Sequence, residues 1–306
     1  MKILIIGLGS IGKRHVNVIR ELHPEIEIFA IRSSETAEEV PFVTNLYSLD
    51  EISFQPDFII ISNPTNLHAE SIISSVKFNC PLFIEKPALH SLNDVDAIQK
   101  LLDENNINTY VGCCLRFHKC LEYVKAELSN MPLDSINEVN CYYGSYLPNW
   151  RPGTNYTESY SAKKENGGGI HLDSIHELDY VYWLFNKPEV ISSSKRKVSQ
   201  LEIDSVDNAN YILEYSDFNV NVTLNYFRPE AKRTLEIVFK DQVWMVDLLK
   251  NEVTESGNVL FTSEETIADT YVAQMECFLE NLHSSAMMNS FKESMDVLNI
   301  CLHDKQ

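Results

Sequence analysis

Apolar residues in the first third of the chain fall in short unbroken runs separated by stretches of helical period. Residues 3–6, 26–31, 58–62, 82–85 and 109–114 read as strands, and 11–22, 68–78 and 93–105 as the helices between them. Strands that are apolar on both faces, each followed by a helix, imply a parallel sheet with right-handed crossovers. After about Phe117 the period changes. A helix over 120–128 is followed by longer strands in which Val220, Val222, Leu224 and Tyr226 alternate with Asn221, Thr223 and Asn225. That alternation predicts a mainly antiparallel sheet with one covered and one open face. Asp217 and Ser256-Gly257 stand where hairpin turns would fall, and a helical tail starts near Ile267. The expectation is an α/β chain of two domains, 1–117 and 118–306.

Composition narrows the function classes. The 306 residues carry a net charge of −19, which repels phosphate backbones and argues against nucleic acid as a partner. No apolar stretch approaches the ~20 residues of a membrane span. The seven cysteines include the neighbours Cys113 and Cys114 but no metal-ligand spacing, so reduced thiols in a cytoplasmic protein without a metal are expected.

Gly7-Leu8-Gly9-Ser10-Ile11-Gly12 follows the first strand directly and opens a helix. In that setting Gly7 permits the tight turn, Gly9 lets a pyrophosphate approach, and Gly12 lets helix and strand pack closely. The helix N-terminus then faces the phosphates. Residues 7–13 also fit the start of a phosphate-loop NTPase motif, but Arg14 stands where that motif needs Ser or Thr for magnesium. The N-terminal domain therefore reads as a Rossmann domain that binds NAD(P). The second strand ends in Arg32 and Ser33 instead of the acid that selects NAD, which favours NADP; a solvated arginine at a strand end is the bland alternative. Lys86, in Glu85-Lys86-Pro87, ends a buried strand, the edge at which parallel sheets hold ligands.

These motifs resemble the glucose–fructose oxidoreductase, inositol dehydrogenase and MocA family (Gfo/Idh/MocA) over nearly the whole chain. The resemblance rests on Gly7–Gly12, Asn63-Pro64-Thr65 with His68, Glu85-Lys86-Pro87, Leu115-Arg116-Phe117-His118 and the glycine-rich segment that begins at Gly167. It implies a second α/β domain with a large open sheet, reversible oxidation of a sugar, nucleotide sugar or cyclitol hydroxyl, and a homodimer or homotetramer. It makes Lys86 the active-site lysine, and it places Ser10, Ile11, Asn63, Pro64, Thr65, His68 and Glu85 on the cofactor side.

A helix running from the triple glycine to about Phe185 would put Asp173, His176, Glu177 and Tyr180 on one face. A carboxylate beside an imidazole suits proton transfer near neutral pH, which makes His176 and Asp173 catalytic candidates. The interval of three between them departs from the four common in the family. It resembles a subgroup linked to surface-glycan sugars, and it leaves open whether Asp173 meets substrate or only braces His176. Trp150, Arg151 and Tyr156, in an aromatic and proline-rich loop, together with Arg116 and Glu177, are the substrate-side candidates; the aromatics also suit simple packing. Arg228, Lys232 and Arg233 read as a solvated face. Two other readings stay open: an imine or tetrapyrrole reductase on the same scaffold, and a non-catalytic NADP sensor.

Overall fold

A computed structural model describes residues 1–284 and 287–304. The chain divides into two units, Met1–Cys114 with Tyr271–Met295, and Leu115–Thr270 with the chain from Asp296 onward. In the first unit β1 (Lys2–Ile6), α1 (Ser10–Leu22), β2 (Glu27–Ile31), β3 (Val43–Leu46), β4 (Phe58–Ile61), α2 (His68–Ser75), β5 (Leu82–Glu85), α3 (Val95–Glu104) and β6 (Thr109–Gly112) follow in order. The six strands are all parallel in the order β3-β2-β1-β4-β5-β6. The residues of β4, β5 and β6 are all buried, as expected of mostly apolar strands covered on both faces. Strand order reverses beside β1, so the crevice beyond the carboxyl ends of β1 and β4 is where such a sheet takes a ligand.

The second unit holds α4 (Lys119–Leu128), β7 (Ile136–Tyr146), α5 (Ile170–Asp173), α6 (Ile175–Phe185), β8 (Val190–Arg196), β9 (Asn208–Glu214), β10 (Asn219–Asn225), β11 (Phe227–Phe239), β12 (Val243–Asp247), β13 (Glu252–Glu255) and β14 (Asn258–Thr262). Its eight strands run β14-β13-β12-β11-β7-β10-β9-β8 and are antiparallel except for the β7–β10 pair. Val220, Val222 and Leu224 are buried on one face. The other face carries a polar lattice in which Asn221 donates to Asn140 (3.1 Å), Thr223 to Asn210 (3.1 Å) and Asn140 to Glu236 (2.9 Å). Helices α7 (Ile267–Glu280) and α8 (Phe291–Leu302) end the chain. Among the described residues no helix is long and apolar enough to cross a membrane.

The sequence assigned all of 118–306 to one domain, whereas Tyr271–Met295 joins the first unit. Packing explains it. The Phe278 ring sits edge-on to Phe58 and Phe83, with centroids 5.2 and 5.3 Å away, and tilts against Tyr110 at 5.9 Å. Without that segment these rings, all essentially buried, would lose their cover.

Candidate functional site

In the first unit the ends of three neighbouring strands converge. Ile6, Ile61 and Ile84 lie in register across β1, β4 and β5, so Gly7, Ser62-Asn63 and Glu85-Lys86 emerge at one edge. Gly7 has φ +92°, and a Cβ there would lie 2.4 Å from the Asn63 backbone. A Cβ on Gly12 would lie 2.4 Å from the Gly7 carbonyl. Both positions need glycine for the fold itself. Gly9 differs: no atom lies within 4 Å of a Cβ built there. Its neighbour Ser10 is exposed at the start of α1, with Ile11 behind it half-buried. The open space at Gly9, beside a helix N-terminus, suits an anionic phosphate group. Asn63 donates to Ser71 (2.8 Å), and its Oδ1 is buried without a hydrogen-bond partner, which adds an acceptor at the same edge. Pro64 and Thr65 begin the short turn that follows.

Two of the residues expected on the cofactor side brace the edge from inside. His68 is 1% exposed and reaches the carbonyls of Asn63 (2.9 Å), Pro87 (3.1 Å) and Ala88 (3.2 Å), tying the loop after β4 to the loop after β5. Burial holds its imidazole below the ordinary pKa. Glu85 is buried and lies 2.7 Å from His15 Nε2, while its Oε2 accepts from the Lys86 N–H at 3.2 Å. Lys86 is half-buried, and its peptide bond to Pro87 is cis. Arg32 is buried and donates to Asn45 (3.0 Å) and to the Glu38 carbonyl (3.0 Å); Ser33 beside it is exposed. Glu38 in turn pairs with Lys13 at 2.7 Å.

In the second unit two glycines of the run Gly167–Gly169 are needed by the fold. A Cβ on Gly168 would lie 2.2 Å from the Tyr160 carbonyl, and one on Gly169 would strike the His171 ring at 2.7 Å. The helix expected through Phe185 breaks at Ser174 (φ −105°, ψ 34°), so Asp173 ends α5 and His176 lies in the first turn of α6. No solvated polar face forms, because every residue from Ile175 to Val181 is buried. The polar side chains of α6 instead reach inward. Glu177 is fully buried and accepts from Arg233 Nε at 2.6 Å, with the Arg233 guanidinium 4.5 Å above the Tyr143 ring. Asp179 binds Arg116 through two hydrogen bonds of 2.7 and 2.9 Å, and both side chains are almost wholly buried. Arg116 and Glu177, both expected on the substrate side, are thus engaged with Asp179 and Arg233, and Arg233 is not part of a solvated face. Each is committed to a charge partner inside the second unit.

Asp173 accepts a 2.5 Å hydrogen bond from Tyr226, a fully buried tyrosine. Burial first, and then the Asp173 charge, raise the Tyr226 hydroxyl well above its usual pKa. The Tyr160 hydroxyl is raised mainly by the same carboxylate. The aromatic loop gathers around this group. Trp150 packs edge-on to Tyr226 (5.2 Å) and donates to Ser145 (2.7 Å), and Arg151 lies 5.2 Å over the Tyr160 ring. Tyr156 accepts from the Glu202 N–H. Trp150, Arg151, Tyr156, Ser159 and Ser161 line a small recess. His176, like Asp173, is 8% exposed.

Residues 1–113 match the model of an oxidoreductase family with an NAD-binding Rossmann fold, and residues 122–243 match the Gfo/Idh/MocA C-terminal domain. The chain belongs to the Gfo/Idh/MocA oxidoreductase family. Myo-inositol 2-dehydrogenase of Thermotoga maritima is 23% identical to it, over 93% of this chain and 89% of that protein. UDP-N-acetylglucosamine 3-dehydrogenase GnnA of Acidithiobacillus ferrooxidans superimposes with a TM-score of 0.80 at 18% identity, covering 99% of this chain and 95% of that one. The WlbA dehydrogenase of Bordetella pertussis, solved with NADH and UDP-GlcNAcA, gives 0.81 at 15%, covering 98% and 93%. At these identities the structural likeness speaks to the fold.

The sequence reading missed His15 and Tyr226. His15 lies one turn after Gly12 on α1, and its partner Glu85 is 70 residues away. Tyr226 was placed in the apolar alternation of its strand, which hid its hydroxyl.

Proposed function

We propose that this oxidoreductase interconverts a hydroxyl and a keto group on a sugar, nucleotide sugar or cyclitol, using a nicotinamide dinucleotide. The observation that carries the reading is the common edge of β1, β4 and β5, where open Gly9, the unpartnered Asn63 Oδ1 and Lys86 emerge together. The residues there fit a dinucleotide: Gly7–Gly12 would cradle the pyrophosphate, and Asn63, Pro64 and Thr65 would flank the nicotinamide half. When bound, that group supplies the two-electron acceptor or donor. Lys86 and His176 hold and move the hydroxyl proton, and Asp173 is the acceptor that orders Tyr226 and, through it, the aromatic loop. Trp150, Arg151 and Tyr156 present stacking faces and a cation to the substrate.

For the dinucleotide, NADP is the proposed preference. Ser33 and the guanidinium protons of Arg32 not used by Asn45 and Glu38 would meet a 2′-phosphate. One charge-assisted hydrogen bond of about 1.5–3 kcal/mol corresponds to roughly tenfold or more in affinity. The open polar face of the eight-stranded sheet is the proposed contact of a homodimer or homotetramer.

The test is a screen of UDP-sugars, free sugars and inositols with NAD and NADP, followed by reduced-nicotinamide absorbance. Lys86→Ala and His176→Ala should lower turnover by about 10²–10⁴-fold with dinucleotide affinity little changed. Full turnover in both variants would overturn the roles. A protein that binds dinucleotide and turns over no hydroxy or keto substrate is a sensor.

A further inference from the structure

Helix α1 does more than present a loop to phosphates. His15 lies on it, fully buried, with Nε2 2.7 Å from Glu85 Oε1. The Phe83 ring meets the imidazole edge-on at 4.9 Å and fixes its plane. Nδ1 has no hydrogen-bond partner among the described residues, so the ring's one polar engagement is the carboxylate. The other oxygen of that carboxylate accepts the Lys86 N–H at 3.2 Å. Gly112 on β6 leaves the room: a Cβ there would come within 3.1 Å of Phe83 and 3.2 Å of Glu85 Oε1. Behind the carboxylate, the Tyr271 ring carries Arg14 of α1 at 4.5 Å. A short chain of hydrogen bonds thus runs from α1, through a side chain on β5, to the backbone of the lysine.

We propose that His15 is a positioning residue: through Glu85 it sets Lys86 relative to the loop that receives the dinucleotide. The inference rests on the proposed oxidoreductase reading for what Lys86 does, but the linkage itself is a property of the first unit. A carboxylate buried with one donor on each oxygen has one orientation. Removing the imidazole lets it turn, and the lysine turn follows. A misplacement on the order of 1 Å in such a group costs about 10²-fold in turnover.

The variants are His15→Leu, which removes the donor, His15→Gln, which restores an N–H within reach, and Glu85→Gln as a second break should His15→Leu not fold. Two readouts are taken on the full-length protein. The first needs no substrate: trace labelling with an amine-directed reagent, quantified by mass spectrometry on the peptide that carries Lys86 and normalised to the other lysines. Lys86 labelling should rise several-fold in His15→Leu and Glu85→Gln and return toward wild type in His15→Gln. The second is kinetic: kcat should fall by about 10²-fold in His15→Leu, with substrate KM and dinucleotide Kd nearly unchanged. Unchanged Lys86 labelling in folded His15→Leu and Glu85→Gln overturns the positioning, whatever the activity. Equal loss of dinucleotide affinity and melting temperature in every variant, with no rescue by Gln, also overturns it and marks His15 as packing. The expected labelling pattern in a protein without dehydrogenase turnover upholds the linkage and overturns the oxidoreductase reading.

Discussion

Gly9 contrasts with Gly7 and Gly12, which the fold itself requires. It sits at φ −77°, ψ −161°, a backbone any residue adopts, and a Cβ would meet nothing within 4 Å. Gly9→Ala should therefore fold. Reduced freedom of the unfolded chain contributes about 0.4–1 kcal/mol in its favour, and the poorer helix cap costs a similar amount, so stability should stay within about 1 kcal/mol of wild type. If a pyrophosphate occupies that space, the new methyl is an overpacking defect of about 1–3 kcal/mol, or roughly 5- to 150-fold in dinucleotide Kd. Gly12→Ala should behave in the opposite way. Its Cβ falls 2.4 Å from the Gly7 carbonyl, so the strand–helix turn must shift and the melting temperature should drop whether or not dinucleotide is present. Calorimetric titration with NAD and NADP, beside thermal melts of both variants, reads the contrast. Wild-type affinity in a stable Gly9→Ala protein would refute the claim that this loop cradles the phosphates.

Other outcomes follow from the buried charges. Arg116→Met should destabilise the second unit by about 3–5 kcal/mol, because it strands Asp179 in the interior, and Arg116→Met/Asp179→Leu should recover much of that. Denaturation followed by tryptophan fluorescence is selective here, since Trp150, Trp183 and Trp244 all lie in the second unit; a loss below about 1 kcal/mol in Arg116→Met would show that the pair is not what fixes Arg116. Burial, helped by the nearby Lys195 charge, lowers the pKa of His171 to about 4. A depressed histidine contributes stability that is complete above the unfolded pKa near 6.5 and is lost as pH falls toward 4, here by about 3 kcal/mol at most. His171→Asn should flatten that part of the stability–pH curve; an unchanged slope would contradict the assignment.

The parallel sheet was legible because β1, β4, β5 and β6 are buried on both faces and written almost wholly in apolar residues. The edge strand β3 was not, since its four residues include Thr44 and Asn45 and none is fully buried. The dinucleotide edge was legible because its motif is local, six residues from Gly7 to Gly12. The surroundings of the polar residues of α6 were not legible, for the reverse reason. Helical period says which side chains share a face but not whether that face meets water; the start of α6 is buried all round, and Arg116 and Arg233, 63 and 56 residues from Asp179 and Glu177, supply the buried partners. His15 and Glu85 lie 70 residues apart, so only the fold joins them. The break at Ser174 carries no proline to announce it.

The return of Tyr271–Met295 to the first unit bears on how this protein can be cut, spliced or inherited. Neither unit is a continuous stretch of gene. A nucleotide-binding fragment ending at Phe117 would shed the segment that carries Phe278 and turn an aromatic cluster toward water, so it should aggregate when expressed alone. A swap that trades one specificity half for another at the apparent boundary would carry the foreign partner's closing segment with it, and the graft would have to satisfy two cores at once. Exchange between relatives is therefore constrained at three crossings of the chain rather than at one hinge.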